Sequence, residues 1–145
     1  MRAVVQRVRT ASVTVEGTVV GQCGYGFLVL VAAHKDDSSA NAKKMADRVW
    51  RMRIMPDEQG RINVALRDYP GASVLAISQF TLYGDSSQRR PSFVESASFE
   101  IGKDLFDEFV RELRSLGCSV QTGIFGAHMD IAADLDGPVT IIADC

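Results

Sequence analysis

The sequence predicts a single α+β domain over residues 1–145, in which two main helices pack on a curved, mostly antiparallel sheet or open barrel. Three observations support this fold class. A chain of 145 residues is long enough to bury one core. Two segments repeat apolar residues at the helical period, and about eight others are alternating or continuously apolar, as strands are. These strand-like segments lie mostly near one another along the chain, which favours antiparallel pairing.

The first third of the chain is predicted to form strands. Residues 2–9 and 12–15 alternate between apolar and polar side chains, and Glu16-Gly17 makes a turn into a strand over residues 19–23. The continuous apolar run over residues 27–32 indicates a strand that is buried on both faces. In so short a chain, such strands favour a second subunit that covers one face of the sheet. We therefore expect a symmetric homodimer.

Capping residues followed by apolar residues at helical spacing predict the two helices. The run Asp36-Asp37-Ser38-Ser39 supplies N-cap residues for a helix that extends to about Met52. Ser98 caps a second helix over about residues 100–116, and Gly117 ends it.

The remaining segments are strands and one long loop. A second buried strand over residues 73–77 leads directly into the polar residues that follow it. Residues 83–98 are polar and irregular, and a loop of this length in a small domain is more often functional than not. The last strands are expected at residues 119–123, 129–133 and 139–143.

The composition excludes several classes of protein. A net charge of −2 gives no global field that would attract nucleic acid. No apolar run approaches the ~20 residues of a membrane span, and the first residues lack the pattern of a secretory signal. The three cysteines have no C-x-x-C spacing, which favours a reducing cytosol over a disulfide framework. Basic residues are concentrated within residues 43–53 and at Arg89-Arg90, where they form either solvated faces or a strip for a phosphate backbone.

Two segments carry the candidate chemistry, Ser78-Gln79-Phe80-Thr81-Leu82 and Gly137-Pro138-Val139-Thr140. If they meet, they form a pocket walled by main chain, which recognises shape and handedness. Ser78 and Thr81 are the candidate nucleophiles, but neither has an evident general base, because both histidines are isolated. No metal, nucleotide or flavin site is visible, so we expect no cofactor. The chemistry must then come from positioning, main-chain electrostatics or the substrate's own groups.

Several motifs together resemble one family nearly from end to end, in the same order and without large insertions. The motifs are Met1-Arg2-Ala3-Val4-Val5-Gln6-Arg7-Val8, Ala11-Ser12-Val13, Ser78-Gln79-Phe80-Thr81-Leu82, Arg90-Pro91-Ser92-Phe93, Thr122-Gly123-Ile124-Phe125-Gly126-Ala127 and Gly137-Pro138-Val139-Thr140. They resemble the D-aminoacyl-tRNA deacylases. The resemblance implies a cytoplasmic homodimer, with two active sites at the subunit interface and no membrane contact. It implies hydrolysis of the ester that joins a D-amino acid to the terminal adenosine of tRNA, with glycyl-tRNA mischarged on tRNA-Ala also accepted.

The resemblance also implies roles for individual residues. Gly137-Pro138 matches a Gly-cisPro motif that enters the partner subunit's pocket, where its carbonyls hold the substrate amino group and leave no room for an L side chain. The pocket floor near the scissile ester matches Ser78, Gln79, Phe80 and Thr81, whose main-chain amides hold the ester carbonyl while the 2′-hydroxyl of the tRNA activates water. The residues that match the cradle of the terminal adenine are Phe125, Gly126, Ala127 and Met129.

Two positions near the Gly-Pro motif complete the comparison with the family. Arg7 matches a position close to the Gly-Pro loop, and its charge helps to fix that loop. The chain departs from the family at Leu135, where an Asn is usual, and the loss of that side-chain amide either changes how the loop is held or is a tolerated repacking.

Two other functions remain open from the sequence. One is a related editing domain on the same scaffold, acting on tRNA mischarged with an L-amino acid or alanine. The other is a non-catalytic nucleic-acid-binding module that uses the basic strips, which predicts binding with a steep dependence on salt and no ester cleavage.

Overall fold

A computed structural model gives the structure of residues 1–145 and contains eight strands, two α-helices and two short 3-10 helices. The strands are β1 (Arg2–Val15), β2 (Thr18–Cys23), β3 (Gly26–Ala32), β4 (Met55–Pro56), β5 (Ile62–Val64), β6 (Ser73–Ser78), β7 (Ser119–Thr122) and β8 (Asp130–Asp144). The helices are α1 (Ser39–Arg51) and α2 (Phe99–Ser115), with 3-10 turns at Leu66–Asp68 and Phe80–Tyr83. Neither α-helix is long and apolar enough to cross a membrane.

The long strand β1 is the centre of the main sheet. One of its edges pairs with β8 along nearly the whole length, and the other pairs first with β3 and then with β2, all antiparallel. Beyond β3 the pairing changes, because β3 is parallel to β6 and β6 is parallel to β7. The sheet is therefore mixed, with antiparallel pairs in the majority, and the predicted α+β fold class is confirmed.

The sheet curves until its far strands β2 and β7 nearly meet. The backbone N–H of Gln22 donates to the side-chain oxygen of Gln121 at 2.9 Å, which links the two strands directly. A Cβ atom on Gly21 would lie 2.3 Å from the carbonyl oxygen of Thr122. Only a residue without a side chain allows this approach, so Gly21 permits the near-closure of the barrel.

The structure joins two pairs of segments that the sequence separated. Residues 2–9 and 12–15 form one strand, β1, and residues 129–133 and 139–143 fall on one strand, β8, apart from Met129, which precedes it. Residues 134–138, a polar stretch that includes a proline, interrupt the apolar pattern of β8. Shifts in the register between β8 and β1, opposite residues 6–10 of β1, accommodate this stretch. The free edge of β8 also tolerates Pro138, which has no N–H to donate.

Both helices begin where the capping residues predict. The backbone N–H of Ser38 donates to the side chain of Asn41 at 2.9 Å, and the Ser98 hydroxyl accepts from the N–H of Ile101 at 3.4 Å. The two helices pack on each other and on one face of the sheet. Their core contacts bury Phe27, Met45 and other apolar side chains.

The chain itself covers both faces of the apolar strands that favoured a second subunit. On one face of β3 and β6 lies the helical core, and on the other lies a smaller cluster inside the barrel. Four of the thirteen large apolar side chains that stay exposed are on β8, whose second edge is unpaired. They are Ile131, Leu135, Ile141 and Ile142.

Replacing Gly21 with alanine is expected to destabilise the protein by about 1–3 kcal/mol, because β2 and β7 must separate to admit the methyl group. Urea unfolding measures the change. Gly24→Ala is the matched control, because a Cβ there meets nothing within 4 Å. Equal stabilities for the two variants would show that the barrel is not closed at Gly21.

Candidate active site

The candidate site lies where the parallel strands end. The carboxyl ends of β3 and β6 are in register, with Val31 opposite Ser78, and the N–H of Gln79 donates to the carbonyl of Val31 at 2.8 Å. The loop over residues 123–129 leaves β7 at the same edge. Parallel pairing therefore brings together two segments that lie about forty-five residues apart in the sequence.

A cavity of about 520 Å³ lies at this edge. Of its nineteen lining residues, thirteen are hydrophobic, and none is an aspartate, glutamate, lysine or arginine. The one imidazole on its wall belongs to His128, whose side chain is 92% exposed and lies 3.5 Å from the Asp130 carboxylate. None of the lining side chains is a buried acid or base, so the wall offers a ligand mainly shape and main-chain polarity.

The predicted floor residues are only partly in the wall. Ser78, Gln79 and Phe80 line the cavity, but Thr81 does not. The Thr81 side chain is exposed, and its hydroxyl oxygen accepts a hydrogen bond from the side-chain amide Nε2 of Gln79 at 2.5 Å. No histidine or carboxylate contacts the hydroxyl of either Ser78 or Thr81, so neither has a base that would activate it.

Aromatic rings form the opposite wall. The Phe125 ring lies 5.1 Å from the Phe99 ring and 6.0 Å from the Phe106 ring, so α2 holds it from two sides. Gly126 adopts a φ of +79°, and a Cβ atom there would lie 2.7 Å from the Phe99 ring. This position therefore requires glycine for both its backbone conformation and its close contact. Gly126, Ala127 and Met129 complete this part of the wall.

Gly137, Pro138 and Arg7 are not in the cavity of their own chain. The Gly137–Pro138 peptide bond is cis, and Gly137 has a φ of +126°. Both residues are exposed in the middle of β8, while Arg7 is buried beneath them. One chain thus brings residues 78–80 together with residues 125–129 and leaves the Gly-Pro segment on a separate surface.

Comparison with known proteins identifies the family. The family model described as D-Tyr-tRNA(Tyr) deacylase matches residues 4–144. The chain belongs to this family. It is similar to proteins named D-aminoacyl-tRNA deacylase from Thermomicrobium roseum (50% identity, 99% of this chain and 94% of the relative) and Exiguobacterium sibiricum (48% identity, 99% of each). The resemblance drawn from the motifs is confirmed.

Solved structures agree with the deacylase fold. The structure titled c-Myc DNA Unwinding Element Binding Protein superposes with a TM-score of 0.93 at 32% identity, covering 100% of this chain and 99% of that one. A structure titled as a probable eukaryotic D-amino acid tRNA deacylase superposes with a TM-score of 0.86 at 18% identity, covering 99% and 98%, and this second match shows the fold alone.

Sequence reasoning missed the contribution of α2 to the deacylase cavity. Phe99, Gly102 and Phe106 line it from the first two turns of the helix. Gly102 was the available signal, because glycine inside a helix is unfavourable by about 1 kcal/mol relative to alanine and usually has a packing reason. A Cβ on Gly102 would lie 3.6 Å from the Phe125 ring, which is ordinary van der Waals contact, so Gly102 marks the cavity wall without being required by close packing.

A buried ion-pair network anchors the Gly-Pro segment of the deacylase. Asp136, the residue before Gly137, lies with Oδ2 2.9 Å from Arg7 Nε and Oδ1 2.9 Å from Arg9 Nη2. The Tyr25 hydroxyl donates to Oδ2 at 2.6 Å. Arg7 also donates from Nη1 to the carbonyl of Ile54 at 2.8 Å, but its Nε makes no hydrogen bond. Arg7 therefore contacts the Gly-Pro segment through Asp136 and takes no part in the cavity wall.

The network shifts the ionisation of two of its members. The hydrogen bond from Tyr25, with the charges of Arg7 and Arg9, lowers the pKa of Asp136. Burial, together with the hydrogen bond to Asp136, raises the pKa of Tyr25 to about 12. The neutral phenol and the ionised carboxylate are thus the forms that the fold favours.

Tyr25→Phe is expected to lower the free energy of unfolding by about 1 kcal/mol at pH 8, because it removes the hydrogen bond to Asp136. An unfolded tyrosine loses its proton near pH 10, whereas folded Tyr25 keeps it until about pH 12. The contribution of Tyr25 is therefore fully present below pH 10 and is lost as the pH rises towards 12.

Urea unfolding of both proteins at pH 8 and pH 11 measures the difference, which should shrink at the higher pH. Tyr69→Phe is the control, since Tyr69 packs on Tyr25 at 5.5 Å and its hydroxyl makes no hydrogen bond within the chain. A difference that stays constant between the two pH values would contradict the assignment.

Proposed function

We propose that this chain hydrolyses the ester bond of D-aminoacyl-tRNA, releasing the D-amino acid and tRNA, and that the apolar cavity is its active site. The observation that carries the proposal is a cavity whose lining side chains include no carboxylate and no buried base, in a chain of the deacylase family. Such a wall suits a substrate that brings its own reactive group. Ser78, Gln79, Phe80 and Thr81 would then form the floor beneath the ester, and main-chain amides of this stretch other than that of Gln79, whose N–H is hydrogen-bonded to Val31, would hold the ester carbonyl. The 2′-hydroxyl of the terminal adenosine would activate water.

The aromatic wall suits the terminal adenine. Phe125, Gly126, Ala127 and Met129 present a flat apolar surface that α2 holds rigidly. Unpaired bases at the end of an RNA stack on such surfaces, and each contact of this kind contributes about 1–3 kcal/mol. The substrate is therefore recognised at its single-stranded end.

A homodimer would complete the site. Gly137-Pro138 is exposed and lies outside the cavity of its own chain, so it reaches substrate only if a second copy presents it. The unpaired edge of β8 and its exposed side chains Ile131, Leu135, Ile141 and Ile142 provide the apolar surface for that contact. The ion pair of Arg7 with Asp136 would hold the loop rigid as it enters the partner.

Rigid main chain explains how the site would select for handedness. A wall of peptide atoms from Gly137 and Pro138 cannot rotate away as a side chain does, so an L side chain would collide with it. Glycine has no side chain and would pass, which extends the proposal to glycyl-tRNA mischarged on tRNA-Ala. We place this activity in the cytoplasm, where the free thiols of Cys23, Cys118 and Cys145 remain reduced.

Hydrolysis of D-tyrosyl-tRNA, compared with L-tyrosyl-, L-seryl- and alanyl-tRNA, tests the function. We expect rapid release of D-tyrosine and little release of any L-amino acid. Preference for L-seryl- or alanyl-tRNA would instead indicate the related editing activity, and RNA binding without cleavage would indicate a binding module.

Ile142→Asp, which places a charge on the exposed face of β8, is expected to give monomers that no longer cleave the ester. A monomer that still selects D substrates would exclude the contribution of the partner.

Thr81→Ala is expected to keep activity within about tenfold of the unaltered enzyme, because the Thr81 hydroxyl is hydrogen-bonded to the Gln79 side chain and Thr81 lies outside the cavity. Loss of a true nucleophile lowers kcat by a factor of about 10⁴ to 10⁶. Single-turnover hydrolysis of D-tyrosyl-tRNA measures the activity of this variant. The same assay with the unaltered protein and a D-tyrosyl-tRNA that ends in 2′-deoxyadenosine should show almost no turnover. Complete inactivity of folded Thr81→Ala protein that still binds tRNA would assign the nucleophile to Thr81.

A further inference from the structure

A short hairpin stands at the rim of the cavity. Its ends are paired by two backbone hydrogen bonds between Asp85 and Ser92, with N–O distances of 2.8 and 3.0 Å. We call residues 84–93 the rim hairpin. Arg89 and Arg90 lie at its tip, between the paired residues.

The base of the rim hairpin is aromatic and touches the cavity wall. The Phe93 ring packs edge-on against the Phe80 ring at 5.3 Å, and Phe80 lines the cavity. The Ser96 hydroxyl donates to the carbonyl of Phe80 at 2.9 Å and fixes this contact. Gly84 leaves room for the ring, since a Cβ there would lie 2.9 Å from Phe93. Even so, 58% of Phe80 and 38% of Phe93 stay exposed, although apolar rings are usually buried.

The tip of the rim hairpin carries positive charge that the chain does not neutralise. Most lysine and arginine side chains are bonded to a carboxylate or a carbonyl, but Lys44, Arg89 and Arg90 form neither an ion pair nor a hydrogen bond. The nearest acid in sequence, Asp85, is engaged by the N–H and hydroxyl of Ser87 at 2.9 and 3.1 Å. Arg90 lies three residues from Phe93, so at most about 11 Å of chain separates them.

We propose that the rim hairpin is a second nucleotide-binding surface, which holds the single-stranded nucleotides that precede the terminal adenosine of the substrate RNA. Exposed rings next to unpaired arginines are the combination that binds single strands, with bases on the rings and phosphates on the cations. A duplex hides its base faces and would leave Phe80 and Phe93 without a partner. Because Phe80 lines the cavity and contacts Phe93, a strand whose terminal nucleotide occupies the cavity meets these two rings at its rim. This inference rests on the proposed function.

The test compares two substrates, D-tyrosyl-tRNA and the minimal ester D-tyrosyl-adenosine, which has no preceding nucleotides. The double variant Arg89→Ala/Arg90→Ala is expected to lower the ratio of kcat/KM for the tRNA to that for the minimal ester by about tenfold at low salt. It should also reduce the slope of log kcat/KM against log salt by about 1.4 for the tRNA, as two lost phosphate contacts predict for a single strand. Phe93→Leu, which keeps an apolar side chain but removes the ring, should lower the same ratio by about fivefold or more.

Arg67→Ala/Arg111→Ala is the control, because it also removes two exposed positive charges but touches neither the rim hairpin nor the basic cluster within residues 43–53. In this control, the ratio of kcat/KM for the tRNA to that for the minimal ester should not change. An equal fall for this control would attribute the effect to net charge alone and overturn the proposal. An unchanged ratio in both rim-hairpin variants would also overturn it, and so would an equal loss on the two substrates, which indicates a structural role. If the unaltered protein cleaves neither substrate, the proposed function itself has failed, and the inference falls with it.

Discussion

Parallel pairing of β3, β6 and β7 is the constraint on which the rest of the structure depends. Parallel neighbours need long crossover connections, and α1 and α2 supply them, so the pairing also places both helices on one face of the sheet. The same pairing brings three strand ends to one edge. The cavity forms there because Ser78, the loop after β7 and the first turns of α2 all emerge at that edge.

The other long-range contact, between β1 and β8, has the opposite consequence. It holds Gly137 and Pro138 on a strand at the outside of the sheet, anchored through Asp136 to the buried Arg7. A single chain therefore separates the cavity from the Gly-Pro segment. This separation, with the unpaired apolar edge of β8, is the physical basis for proposing that two copies complete each other's sites.

The distribution of charge follows the same division. Buried ions need partners, because removing them from water costs several kcal/mol each. Asp136 has two arginines and a tyrosine hydroxyl for this purpose, and its network lies outside the cavity. The cavity wall carries no carboxylate or cation, which suits a reaction in which main-chain groups and the substrate's own hydroxyl do the work. Two of the three cations without partners, Arg89 and Arg90, lie instead on the rim hairpin.

The sequence alone determined the features that local patterns encode. Caps such as Ser38 and Ser98, the helical and strand periods and the family motifs predicted the fold class and seven of the nineteen cavity residues. Tertiary structure decided the rest. It joined β1 and β8 into continuous strands, covered both faces of β3 within one chain, placed Thr81 outside the wall and added Phe99, Gly102 and Phe106 to it. These outcomes depend on which distant segments pair, and a local apolar pattern gives the face of a strand but not its neighbour.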